Sequence, residues 1–423
     1  MPNTPRNAIY AQSGGVTAVI NASAFGVIET ARKYPDKIGK LFAGQNGILG
    51  VLNEKLTDTS LESNQDISGL RHTPAGAFGS CRFKLGDPKK NKKLYDRLLQ
   101  VFEAHDVGYF FYNGGGDSQD TTNQIAQYCK KNSLPLTCIG IPKTVDNDLP
   151  ITDSCPGFGS VAKYVAISTL EASLDVASMA ETSTKVFILE VMGRHAGWIA
   201  AAGGLAAEKT GQPPVIILFP ERPLEKAELV EKVKESVRKY GFCSIVVSEG
   251  IRNSEGKFIS DQGEKDAFGH SQLGGVAPYI AEIIRSKTGF KYHWSVADYL
   301  QRSARHIASG TDVLHAYKVG AAAVDFAMEG ANAIMPIIVR TNNTPYKWKI
   351  DQTALHNVAN VEKKLPDSFI TDDGYGITAE CLQYLKPLIA GEDYPPYVGG
   401  IPSYTSLKNR LIPKKLGDSF AID

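Results

Sequence analysis

Short, uninterrupted apolar runs alternate with helix-spaced segments along most of this chain, and that alternation leaves it few folds. AIYAQ precedes a helical pattern from about Val16 to Lys33, and KLFAG precedes NGILGVLN. NKKLYDRLLQVFEAHD leads into GYFFYNG, and LTCIGIP comes before the long helical segment VAKYVAISTLEASLDVASMAE. KVFILEVMG, PVIILFP and CSIVVSEG read as further strands. These runs are continuous rather than alternately polar, which suits parallel strands covered on both faces. Parallel strands need helical crossovers, so the expected class is α/β, with doubly wound, mostly parallel sheets. A chain of 423 residues exceeds one ordinary core, so two Rossmann-like domains are expected. The stretch Thr341–Asp373 is more polar and less periodic, as an insertion would be, and GITAECLQYLKPLIAG reads as a helix packed back onto the body.

The charge balance narrows the partners. Net charge is +1, which gives no electrostatic reason to expect nucleic acid or an anionic membrane. No apolar run is long enough to span a bilayer, and MPNTPRNAIYAQSGG lacks a signal-peptide core. The six cysteines form no CxxC pair, which points to reduced, buried thiols and a cytoplasmic protein.

In open α/β sheets, ligands bind beyond the carboxyl ends of the strands. Polar, Gly/Asp-rich turns follow several of the strands here: QSGG, NGGGDS, PKTVDND, MGRHAG and SEGI. Together they would share one edge. SGGVTAVINA is a glycine turn opening a helix, with Gly15 placed to approach an anion. A tight turn that merely excludes a side chain explains it equally well. Neither GxxxxGK[ST] nor GxGxxG is present, so a nucleotide P-loop or a dinucleotide site has little support.

PKTVDND carries more information. Asp146 and Asp148 are two residues apart, so in extended backbone both carboxylates face one way. One suits a general base, and the other suits a metal or its water. An Asx-rich turn would also use these residues, but Lys143 beside them resembles a clamp for a polyanion. Arg82 in GSCRF and Arg194 in MGRHAG are phosphate-binding candidates, and Glu249 in SEG could accept from sugar hydroxyls. DYLQRSAR offers Tyr299 with Arg302 and Arg305, an arginine fork for phosphate. His195, at a helix start, reads as structural.

NGGGDS, PKTVDND, EVMGRHAGW, SEGI and YLQRSAR, in this order and spacing, resemble the 6-phosphofructokinase family from about Ile9 to at least Arg340. The resemblance implies two Rossmann-like domains and phosphoryl transfer to the C1 hydroxyl of fructose 6-phosphate with Mg²⁺, a glycolytic reaction. It implies a phosphoryl-donor domain from 1–160 plus about 311–370, and a sugar-phosphate domain from 161–310 plus about 371–423. It makes Asp146 the base, with Arg82 at the transferred phosphoryl. Gly15, Gly115, Gly116 and Ser118 would contact the donor phosphates. Thr144, Val145 and Asp146 would meet the substrate, and Met192, Gly193, Arg194, Glu249, Tyr299 and Arg302 would hold the sugar phosphate. Lys185 matches a basic position that the family supplies from a neighbouring subunit, which implies a homodimer or larger homo-oligomer.

Two departures matter. ATP-using members read GGDGS and carry glycine before TxDND; this chain reads GGGDS and carries Lys143. Both departures resemble the branch that uses inorganic pyrophosphate. Asp117 would take the space, and repel the charge, of the α-phosphate of ATP. It would also be a Mg²⁺ ligand with Asp148, while Lys143 neutralises the leaving phosphate. The alternatives are an ATP-dependent phosphofructokinase or a non-catalytic regulatory subunit. The intact TxDND motif argues against the subunit.

Overall fold

The computed structural model describes residues 4–207, 214–259, 275–417 and 420–421; the domain ranges expected above also run across residues outside this set. All but two short strands near the C-terminus, Tyr397–Val398 and Ile401–Pro402, fall into two sheets. The first contains β1 (Arg6–Gln12), β2 (Ile38–Gly44), β3 (Leu56–Asp58), β4 (Val107–Gly114) and β5 (Thr137–Pro142). The second contains β6 (Val186–Val191), β7 (Val215–Leu218), β8 (Cys243–Ser248) and β9 (Tyr292–Val296). The chain then returns to the first sheet as β10 (Ile334–Asn343) and β11 (Tyr346–Ala354). The first sheet runs β11-β10-β5-β4-β1-β2-β3, and the second runs β7-β8-β6-β9.

Within these two sheets all pairings are parallel except β10 with β11 and β2 with β3, at the two edges of the first sheet. The parallel α/β reading therefore holds, with antiparallel edges. Both faces of the first sheet are covered. Ile9, Phe110 and Tyr112 pack into one buried cluster, while Ala8, Tyr10 and Phe111 pack into the other. Each fully buried Phe contributes about 2–3 kcal/mol. On the second face, helix Ile20–Ala31 lies very close to helix Gly310–Met328. A β-carbon on Gly26 would stand 2.2 Å from the carbonyl oxygen of Tyr317, so only glycine permits that approach.

Some segments differ from expectation. The first part of the polar stretch Thr341–Asp373 completes a hairpin, β10–β11, that closes one edge of the first sheet, and the rest is irregular chain with two short turns of helix. Strand β9 lies outside the sequence reading: four of its five residues are exposed, and YHWSV alternates apolar with polar residues instead of forming a continuous apolar run. The C-terminal region divides: Cys381 and Leu385 of helix Ala379–Leu385 join the cluster around the second sheet. Residues nearer the end turn back, and Ile412 donates to the carbonyl of Leu56 in β3. All six cysteines are buried and free. Among the described residues, no helix is long and apolar enough to cross a membrane.

Candidate active site

The first sheet reverses its strand order between β1 and β4, and such a switch point opens a crevice at the carboxyl ends. The carboxyl ends of β1, β4 and β5 carry Gly14–Gly15, Gly115–Ser118 and Lys143–Asp148 to a cleft of about 510 Å³. Its other wall comes from the ends of β6, β8 and β9, which bring Met192 and Arg194, Glu249, and Asp298–Arg302. Turns far apart in sequence thus line one cleft.

The turn after β1 is held on both sides. Ser13 donates to Asn113 at 2.8 Å and Gly14 donates to Cys81 at 2.9 Å through backbone amides. The helix does not begin at this turn. Thr17 Oγ1 accepts from the Val19 amide, making a local turn, and the helix starts at Ile20. Gly15 is therefore not at a helix N-terminus. The turn after β4 behaves as read from sequence: helix Gly116–Lys131 starts at once, with Asp117 in its first turn. Ser118 is buried and donates to Ser13 Oγ at 2.8 Å, so its hydroxyl ties the two turns together.

Three cations converge on the β1 turn. Lys143 is 4% exposed, and its Nζ donates to the Gly15 carbonyl at 2.5 Å. A β-carbon on Gly15 would lie 2.7 Å from Arg302 Nη1 and 3.6 Å from Arg82 Nη2. Burial, then Arg302 and Arg82, push the Lys143 amine down to about 7. Such a concentration of positive charge is what a polyanion stabilises. Arg302 is grouped by sequence with the sugar-phosphate residues. Its guanidinium packs 3.9 Å over the Tyr299 ring and reaches the β1 turn.

Between the walls lie the two aspartates. Their backbone is not extended. Asn147, between them, has φ 54°, a left-handed conformation that Asn tolerates. Its side chain accepts from the Cys155 amide at 2.9 Å and donates to Tyr384 Oη at 2.8 Å. The carboxylates nevertheless feel each other. Burial raises the Asp146 carboxyl well above the usual range, with Asp148 and Glu249 adding to the rise. Burial likewise raises Asp148, against a hydrogen bond with Thr144. Asp148 Oδ1 is buried with no protein partner. Glu249 is pushed up to about 7 by burial, opposed by Arg194 and by the Gly193 amide.

The remaining expected residues divide. Thr144, Val145 and Gly116 line the cleft. Gly193 is adjacent, at φ 129°, with its carbonyl bonded by Ser248 Oγ. Lys185 is not in this cleft; it sits at the start of β6, six residues of strand from Met192, roughly 20 Å. Its amine bonds the carbonyls of Ala180 and Glu181. Arg305 is not part of the fork either. It is fully buried and holds Asp393 and the Arg71 carbonyl. Sequence reasoning missed Asp298, which lines the cleft. It also missed Lys84, whose amine lies 2.7 Å from Asp117 Oδ1. Lys84 is two residues beyond Arg82, a signal available in FGSCRFK.

A cation would find few protein ligands. Among the described residues no group of three or more His, Cys, Asp or Glu gathers as a metal site. Of the carboxylates that line the cleft, Asp148 has an orphaned Oδ1 and Asp117 stands among the glycine turns. That fits Mg²⁺, which keeps waters and phosphate oxygens and needs only one or two carboxylates.

With cations at one end, acids in the middle and Arg194 with Glu249 at the other, the cleft suits transfer of an anionic group to a hydroxyl. A model of the phosphofructokinase family, described as "Phosphofructokinase", matches residues 7–327. The chain belongs to the phosphofructokinase family. Within it, the chain is 61% identical over 417 residues to the "Pyrophosphate--fructose 6-phosphate 1-phosphotransferase" of Methylococcus capsulatus, with 99% of each chain covered. It is 54% identical to the like-named protein of Xanthomonas campestris, covering 98% of this chain and 99% of that one. Among solved phosphofructokinases, the pyrophosphate-dependent protein of Nitrosospira multiformis superposes with a TM-score of 0.92 at 59% identity. That match covers 98% of this chain and 100% of the other.

Proposed function

We propose that this protein reversibly transfers a phosphoryl group from inorganic pyrophosphate to the C1 hydroxyl of fructose 6-phosphate. The observation that carries the reading is the convergence of Lys143, Arg82 and Arg302 on the glycine turn of the cleft that Asp146 also lines. The names of its near-full-length relatives support the same donor and acceptor.

The residues divide the work. Lys143, Arg82 and Arg302 take up negative charge on the donor and on the phosphoryl in flight. Gly15, Gly115 and Gly116 let backbone approach the donor, and Asp117 occupies the space where a nucleotide would continue. Arg194 and Glu249, with Met192 and Gly193, orient the sugar phosphate. The C1 oxygen attacks the terminal phosphorus while the bridging P–O bond breaks. Orthophosphate leaves with that electron pair, and the C1 proton passes to Asp146. Burial favours that protonation, so Asp146 is poised to accept. Mg²⁺, held by Asp148 and Asp117 together with phosphate oxygens, would supply charge neutralisation on the diphosphate.

On this reading, the first sheet with β10–β11 forms the donor domain and the second sheet the sugar-phosphate domain. Lys185, distant from its own cleft, supports a homo-oligomer in which it serves a neighbour. A donor comparison tests the reading. Protein, fructose 6-phosphate and Mg²⁺ receive either pyrophosphate or ATP, and fructose 1,6-bisphosphate is followed. Product with pyrophosphate alone is expected; product with ATP alone overturns the donor assignment, and product with neither overturns the reaction.

A further inference from the structure

The loop that carries both aspartates is held from behind by a residue on a segment outside both sheets. We propose that Lys363 is a positioning residue, which fixes the Asp146–Asp148 loop against the turn that binds the sugar phosphate. This inference rests on the function proposed above.

The contacts come from three parts of Lys363. Its backbone amide donates to the carbonyl of Asp148 at 2.6 Å. Its amine donates to the carbonyls of Thr152 at 3.1 Å and Asp153 at 3.0 Å, with Asn147 Oδ1 at 3.4 Å. Its own carbonyl accepts from the Trp198 indole at 3.0 Å, and its amine lies 5.1 Å from the Trp198 ring centroid. Trp198 opens the helix that directly follows Met192–Gly197. One residue, through its backbone and its amine, thus joins the acid loop of the first sheet to the phosphate turn of the second. Tyr384 supports the same loop: its hydroxyl accepts from Asn147 Nδ2 and donates to the Asp153 carbonyl at 2.6 Å.

The loop needs such support. Asn147 is left-handed and Ile151 is also at positive φ, 71°, which a β-branched residue rarely adopts. The strain at Ile151, three residues beyond Asp148, persists only when the surroundings over-determine it. Lys363 answers loop carbonyls that no strand or helix pairs. Relaxing the loop by an ångström would move Asp146 off the hydroxyl, while Arg82, Arg302 and Arg194 stand on other turns. A displacement of that size costs roughly 10²-fold in turnover.

The test compares Lys363→Met, which keeps length but loses the N–H donors, with Lys363→Arg, which keeps donors and charge. Wild-type protein runs alongside. Lys363→Met is expected to lose roughly 30- to 100-fold in kcat, with KM for pyrophosphate and fructose 6-phosphate within about threefold. Lys363→Arg is expected to recover most of that loss. Amide hydrogen exchange across 145–155 should rise in Lys363→Met, and this readout does not depend on activity. A folded Lys363→Met with wild-type kcat and unchanged exchange overturns the proposal. If Lys363→Met fails to fold, Lys363→Gln, which keeps only part of the donor set, decides: a several-fold fall in kcat at constant KM supports the proposal, and unchanged kcat overturns it. Wild-type protein inactive with pyrophosphate would instead overturn the function, while the exchange result still judges Lys363.

Discussion

The amine of Lys84 lies 2.7 Å from Oδ1 of Asp117, one of the residues that line the cleft. Both side chains are partly exposed, at 44% and 31%, so this pair contributes no more than about 1 kcal/mol to folding. Its effect falls on the donor. Without Lys84, the donor end gains an uncompensated negative charge next to a polyanion. Lys84→Met should leave the melting temperature nearly unchanged, raise KM for pyrophosphate several-fold, and leave KM for fructose 6-phosphate alone. Initial rates at varied concentrations of each substrate, with a melt, check this. An unchanged KM for pyrophosphate would remove Lys84 from the site.

The donor preference should be reversible. Lys143 fills the turn beside Gly14, where a β-carbon would already stand 3.4 Å from its Nζ. Asp117 adds like charge where a nucleotide's α-phosphate would lie. Replacing both with glycine, Asp117→Gly with Lys143→Gly, should cut pyrophosphate turnover by orders of magnitude and create measurable ATP turnover. A folded double variant with no ATP activity would contradict the exclusion argument.

Activity should respond to pH from both sides. Asp146 must be ionised to accept a proton, so kcat/KM falls as pH drops through its raised pKa. Lys143 must be protonated to meet a phosphate, and in the free enzyme it sits at about 7, so kcat/KM also falls as pH rises past that value. The profile for the free enzyme should be a narrow bell near neutrality. Bound phosphate favours the charged amine, so the alkaline limb of kcat should lie higher. Lys143→Arg should move that limb up, because a guanidinium stays charged. Asp146→Asn should lose roughly 10²–10⁴-fold in kcat with little change in KM.

Much of this arrangement is visible in the sequence, and what is hidden has physical causes. Continuous apolar runs mark buried parallel strands, and the turns at their carboxyl ends mark the cleft, because sheet geometry gathers those turns. Strand β9 escapes because an exposed edge carries no apolar run. The direction of a long side chain is also hidden. Arg302 and Arg305 are three residues apart, yet one reaches the β1 turn and the other is buried against Asp393. Asn147 shows the same limit for backbone: a left-handed residue between two aspartates undoes the period-two argument that extended backbone supports. Lys363 and Tyr384 are set by tertiary packing alone, and no local pattern marks them.

Glu249 gives a stability prediction with a definite sign. Its folded-state pKa, about 7, lies above the ordinary carboxylate range, chiefly through burial. Its stabilising contribution is therefore present at low pH and lost as pH rises through that window. At pH 8 the folded protein carries a half-buried carboxylate. Glu249→Gln should raise stability at pH 8 by about 1–3 kcal/mol and change it little at pH 5. Binding of fructose 6-phosphate should weaken in the same variant. Denaturant melts at the two pH values measure the difference; equal effects at both would show that Glu249 is not ionising in the fold.

Gly15 separates a functional glycine from a structural one. An alanine β-carbon there would approach Arg302 Nη1 to 2.7 Å, the flexible end of a side chain. At Gly50 it would stand 1.8 Å from the backbone oxygen of Gln45, which cannot move. Gly50→Ala should therefore destabilise the fold by several kcal/mol. Gly15→Ala should fold with a loss of no more than about 1 kcal/mol, because the guanidinium can swing aside. That swing takes Arg302 away from Lys143 and Arg82, so KM for pyrophosphate should rise roughly tenfold, one lost charge contact. The two effects share a cause, so they should not add. In an Arg302→Lys background the tip that Gly15→Ala displaces is gone, and the alanine should cost little more. A double-mutant cycle on kcat/KM for pyrophosphate measures that coupling. Additive losses would mean that Gly15 acts on the donor through its own backbone and not through Arg302.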